Sequence, residues 1–178
     1  AVAGDLDGDG DLDDVGGFGS SGNMTTYRND GPYGFTRVWI EPHYNVGNGY
    51  IQSALELGDA DNDGDLDIAV AYESTSDFSK TYSLWRNRGI FRFDEAWTIT
   101  LPGTTSGEDM FVAVGDVDGD NIGDFAVGDN ENGAHIYNGN GDGTVGASIC
   151  DSPYPSESIR LGKLVDYDQD GDLDLYHG

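Results

Sequence analysis

A nine-residue acidic pattern recurs four times along this chain, and it restricts the fold more than anything else in the sequence. The copies read DLDGDGDLD (Asp5 to Asp13), DADNDGDLD (Asp59 to Asp67), DVDGDNIGD (Asp116 to Asp124) and DYDQDGDLD (Asp166 to Asp174). Aspartates fall at positions 1, 3, 5 and 9 of every copy. Gly holds position 6 in three copies and Asn121 holds it in the other. Carboxylates packed this densely repel one another without a counter-ion, so the pattern predicts a loop wrapped around a hard divalent cation, with calcium the best match. The loop starts are 54, 57 and 50 residues apart. The chain therefore reads as a tandem array whose every unit carries its own site.

Composition narrows the partners. The formal charge is −26, and the four nonapeptides hold 19 of the 34 acidic residues. About four bound Ca2+ ions, one per loop, would still leave roughly −18. Nucleic acid and anionic membrane surfaces are excluded as partners by that charge, and no apolar run is long enough for membrane insertion. A protein or glycan ligand remains open. Cys150 stands alone, which rules out an internal disulfide and a Cys/His zinc site. Calcium loops of moderate affinity fill where calcium is abundant, so the chain is expected to be secreted, extracellular or at the cell surface. A start at Ala1, with neither Met nor signal peptide, is expected of a processed chain or an excised fragment.

The flanks of the loops show the repeating unit. Apolar runs precede the later loops at YIQSALELG (50–58), MFVAVG (110–115) and SIRLGKLV (158–165). Short runs follow them at Ile68 to Tyr72, Phe125 to Gly128 and Leu173 to Tyr176. Runs of this length, β-branched or aromatic and bounded by Gly and Asp, predict buried strands. A third element then carries an aromatic anchor, Tyr27, Trp85 or Tyr137, and Phe35, Phe93 or Val145 sits at a constant offset beyond a Gly/Asn turn. That offset predicts a hairpin into a fourth strand. Four-stranded repeats of about 50 residues are propeller blades. The fold class is thus all-β, with antiparallel units at 1–49, 50–109, 110–158 and a half unit at 159–178, about three and a half blades in one partial propeller. Further blades are expected from flanking sequence or from another chain.

The D-x-D-x-D-G-x-x-D motif, followed by a strand and then an aromatic-Arg-Asn-Gly hairpin, resembles the FG-GAP/VCBS repeats of integrin-α-like propellers. The resemblance covers essentially the whole chain. It implies a larger propeller, usually of seven blades, with calcium in these loops on one face. It further implies a role in adhesion, in sugar binding as a lectin, or as the scaffold of a polysaccharide-degrading enzyme. Two departures stand out. Asp14 and Gly16 replace the apolar pair seen as Ile68/Val70 and Phe125/Val127, which predicts an irregular or poorly covered strand. Asn121 replaces Gly, a change that a left-handed backbone tolerates.

The expected ligand set is one carboxylate from each of positions 1, 3, 5 and 9, plus the carbonyl of position 7. These are Asp5, Asp7, Asp9, Asp11 and Asp13; Asp59, Asp61, Asp63, Asp65 and Asp67; Asp116, Asp118, Asp120, Ile122 and Asp124; and Asp166, Asp168, Asp170, Asp172 and Asp174. An EF-hand would need Glu at position 12, where Gly16, Val70, Val127 and His177 stand. β-helix calcium loops would repeat back to back, not at this spacing. No catalytic set is visible: His43, His135 and His177 lie in different units, and nothing pairs Glu56, Glu73, Glu95, Glu108, Glu131 or Glu157. Trp39 and Trp97 are candidates to stack on sugar rings, whereas Trp85 aligns with Tyr27 and Tyr137 as packing. Asn23 opens a glycosylation sequon.

Overall fold

The computed structural model describes residues 1–17, 23–41, 49–105, 109–151 and 162–177. His43, Glu108, Glu157 and residues 158–161 of the last expected strand lie outside them. Among the described residues fourteen strands form: β1 (Val2–Gly4), β2 (Asp13–Gly17), β3 (Met24–Asn29), β4 (Phe35–Ile40), β5 (Tyr50–Gly58), β6 (Asp67–Ser74), β7 (Lys80–Asn87), β8 (Phe93–Leu101), β9 (Met110–Gly115), β10 (Asp124–Asp129), β11 (Gly133–Gly139), β12 (Val145–Asp151), β13 (Gly162–Val165) and β14 (Asp174–His177). They make three four-stranded antiparallel meanders, β1–β4, β5–β8 and β9–β12, and a two-stranded sheet, β13–β14. This is the all-β, blade-like architecture that the repeats predict. Each acidic loop joins the first strand of a sheet to its second.

Alternation along the second strands explains how the sheets stack. In β6, Ile68, Val70 and Tyr72 face the first sheet and join Leu6, Val15 and Met24 in one core. Ala69 and Ala71 face the other way and join Val112, Phe125 and Val127 of the third sheet. Every residue of β6 and of β10 is buried, as expected of a strand covered on both faces. Beyond β10, Ala126 joins Phe111 and Ile136 in a third core, against which Leu164 and Leu175 pack.

The first strands β1, β5, β9 and β13 lie side by side along one edge of the stack. A glycine ends each of the first three, because the next sheet approaches too closely for a side chain. A Cβ on Gly4 would stand 2.7 Å from Leu66, one on Gly58 2.7 Å from Val114, and one on Gly115 2.5 Å from Leu173. The corresponding residue of β13, paired with Asp174 as the glycines pair with Asp13, Asp67 and Asp124, is Val165.

One sequence expectation is met in the second of its two alternatives, a poorly covered strand, and another needs correction. The strand holding Asp14 and Gly16 is regular, pairing without a register shift to both β1 and β3. Val15 between them is fully buried on the side of the second sheet. Asp14 lies on the opposite face, where an open pocket is lined by Ala3, Leu12, Tyr27 and Phe35. A polar residue fits there because no described sheet covers that face. The correction concerns the tryptophans. Trp39 packs against Trp85 and Phe93 of the second sheet, with ring centroids 5.3 and 4.9 Å away. Trp97 packs against Phe125 and Tyr137 of the third, at 5.2 and 5.0 Å. Both indoles are wedges between sheets, so neither is an open platform for a sugar.

Candidate metal centres

Aspartate at position 9 anchors each loop to its sheet. In the first three copies it is buried: Asp13, Asp67 and Asp124 are at most 1% exposed. One oxygen accepts the amide of position 2, from Leu6 at 2.9 Å, Ala60 at 2.8 Å and Val117 at 2.8 Å. The other accepts an amide from the end of the third strand, from Asn29 at 2.8 Å, Asn87 at 2.8 Å and Gly139 at 2.9 Å. These bonds satisfy a charge that would otherwise be costly to bury. Asp174 keeps the first bond, from Tyr167 at 3.1 Å, and is exposed because β14 has no third strand beside it among the described residues.

Position 1 folds the loop around itself. Asp5 accepts the amides of Gly8 at 2.8 Å and Gly10 at 2.9 Å; Asp116 accepts those of Gly119 and Asn121, both at 2.8 Å. Position 5 accepts the amide of position 7 in all four copies: Asp9 from Asp11, Asp63 from Asp65, Asp120 from Ile122 and Asp170 from Asp172, at 2.8 to 3.0 Å. Position 6 is left-handed throughout, with φ of 91° at Gly10, 91° at Gly64, 66° at Asn121 and 107° at Gly171. Asn121 therefore holds the same turn as the glycines.

Position 4 has the same requirement, which the sequence reading missed. Gly8, Asn62, Gly119 and Gln169 take φ of 77°, 59°, 78° and 63°. The signal was present in the Gly, Asn and Gly of the first three copies. Only Gln169 departs from it.

The carboxylates of positions 1, 3 and 9 converge in every copy. Asp5, Asp7 and Asp13 each offer an oxygen within 4.8 Å of the others, as do Asp59, Asp61 and Asp67; Asp116, Asp118 and Asp124; and Asp166, Asp168 and Asp174. The position-5 side chain stands outside these triplets. Burial and neighbouring like charges make some of these acids resist ionisation. Burial pushes Asp67 up to about 7, against the downward pull of the Asn87 and Ala60 amides. Burial also raises Asp7, Asp61 and Asp124, and neighbouring aspartates add to it; at Asp168 the charge of Asp170 is the leading cause. Asp61 adds an independent observation. Its side chain is only 9% exposed, yet no hydrogen-bond donor reaches its buried Oδ1. A divalent cation suits such a set of oxygens, since it supplies the positive charge that protein donors do not.

Glu73, Glu95, Glu131 and His135 are held by neighbouring groups. Glu73 is buried against Lys80, with Oε2 3.0 Å from Nζ. Glu95 accepts from Ser83, and Glu131 from the Thr104 amide and hydroxyl. His135 stands between Asp151 and the Asn132 carbonyl, and His177 ends β14. No helix among the described residues is long and apolar enough to cross a membrane.

Blade-like sheets stacked in series, each with an acidic loop between its first two strands, define a repeat protein of the β-propeller class. Residues 5–70 and 116–177 match the family model described as FG-GAP-like repeat, together well over half of the chain. The chain belongs to the FG-GAP-like repeat family. No curated protein matches it. Repeats of this family typically build extracellular modules and often bind calcium.

Proposed function

We propose that this chain is a calcium-stabilised extracellular recognition module, a rigid non-catalytic platform for adhesion or assembly. The observation that carries this reading is the fourfold recurrence of the position 1, 3 and 9 triplet, with the buried Oδ1 of Asp61 left without a donor. Positions 1, 3, 5 and 9 would hold the ion through side chains, and Asp11, Asp65, Ile122 and Asp172 through their carbonyls. Bound calcium supplies charge neutralisation where the first two strands of each sheet meet. Position 9 carries that stabilisation inward, because the same carboxylate grips the amide at the end of the third strand. Glu73, Glu95 and Glu131 sit in structural pairs, which supports a scaffold over a catalytic centre. The inward packing of Trp39 and Trp97 takes away the two indoles that favoured a lectin.

Calorimetric titration with CaCl2 tests the metal reading. Heat from about four sites, abolished by EGTA, is expected; absence of binding at millimolar calcium defeats the reading. A glycan array on the calcium-loaded protein separates the platform from the lectin, since saturable binding to one sugar class would favour the latter.

A further inference from the structure

The residue after the aromatic anchor is Arg28, Arg86 or Asn138 in the three complete sheets, and the three side chains behave differently. Arg28 turns to Asp30 at 2.8 Å and stays 41% exposed. Asn138, with its carboxamide turned to donate, reaches Asp118 and Asp124 at 3.0 Å each and brings no charge. Arg86 is 13% exposed and stands 3.8 Å from Asp61, the position-3 aspartate of its own acidic loop. It also meets Asp94 of β8 at 3.3 Å and donates to the Asp142 carbonyl in the β11–β12 turn of the next sheet. Gly143 of that turn lies flat on the arginine stem, where a Cβ would come within 3.0 Å of Cδ. Arg86 is therefore pinned from three sides, and it cannot swing away from Asp61 without loosening the contact between sheets.

We infer that Arg86 is a fixed counter-charge for the second loop, weakening its hold on calcium relative to the first and third loops and tying that loop to the hairpin of the neighbouring sheet. The inference rests on the calcium reading above. A guanidinium beside one ligand meets part of the loop's demand for positive charge and repels an incoming cation. The oxygen Arg86 approaches is Oδ2 of Asp61, while Oδ1 has no donor. The loop is thus partly neutralised without metal and still one ligand short of satisfied. As free calcium falls, the second loop empties before the first and third. The contact with the Asp142 carbonyl then remains to hold the second and third sheets together.

The test is calorimetric titration of the full chain with CaCl2, comparing wild type, R86Q, R86M and D61N, with N138R as the converse. In R86Q and R86M one site is expected to tighten about tenfold, a change of roughly 1.4 kcal/mol. N138R should weaken one site by a similar factor, and D61N should remove the site that R86Q tightens. R86M keeps the apolar stem under Gly143, so a thermal melt in saturating calcium separates lost charge from lost packing. Isotherms of R86Q and R86M that superimpose on a calcium-binding wild type overturn this inference alone. A wild type that binds no calcium overturns the metal reading and this inference with it.

Discussion

The Trp39 indole meets Trp85 edge-on, with the rings at 62° and their centroids 5.3 Å apart, across the boundary between the first two sheets. Trp97 meets Tyr137 and Phe125 in the equivalent place one sheet later. Each wedge sits beside a register shift opposite the aromatic anchor, between Thr26 and Tyr27 and between Leu84 and Trp85. The bulge turns the fourth strand so that its indole reaches the next sheet. Trp97→Ala should therefore cost about 3 kcal/mol, read as a lowered urea midpoint in saturating calcium. A loss below about 0.5 kcal/mol would mean that the indole contributes little to the seam.

Chelation should destabilise the fold. With a dissociation constant near 10⁻⁴ M and about 1 mM free calcium, each site adds roughly 1.4 kcal/mol, or about 6 kcal/mol for four independent sites. A thermal scan in excess EGTA should show a melting point lower by ten degrees or more. An unchanged curve would contradict a structural role for the ion.

Acidification should act in opposite directions with and without metal. Burial raises Asp67 to about 7 from its ordinary value near 4. Between those values the metal-free folded state binds more protons than the unfolded state, so stability rises as pH falls. In EGTA the urea midpoint should climb from pH 8 to pH 5. In millimolar calcium it should drop over the same range, because protons displace the ion. Asp30 is held below its ordinary carboxylate value by the Thr36 hydroxyl and Arg28. A midpoint in EGTA that falls on acidification would refute the burial argument.

Gly58 marks a contact too close for any side chain. Its Cβ position is 2.7 Å from that of Val114, so Gly58→Val must push the second and third sheets apart. A loss of about 2 kcal/mol is expected in urea denaturation. Wild-type stability in this variant would show that the seam yields without strain.

The repeat, the strands and the loops were legible in the sequence because each rests on a local rule. Asp spacing, two-residue alternation and the Gly/Asn turns are all set within a few residues of one another. Asn121 could be placed correctly for the same reason. What crosses from one sheet to the next was not legible. Trp39 and Trp97 read as exposed candidates because nothing local says which neighbour they meet. Asp14 read as a flaw because its face, unlike that of Ile68, has no described sheet against it. Arg86 escaped notice because it is an ordinary member of a hairpin motif until Asp61 and Asp142 are brought around it.

One substitution makes the array unequal along its length. Cys150 pairs with Ile136 as Trp39 pairs with Thr26 and Trp97 with Leu84, so an exposed thiol stands where the wedge belongs. The seam beyond the third sheet rests on Phe111, Leu164 and Leu175 instead. Under tension the modules would not part at random: the joint lacking an indole yields first, and the two joints that carry one hold to higher force.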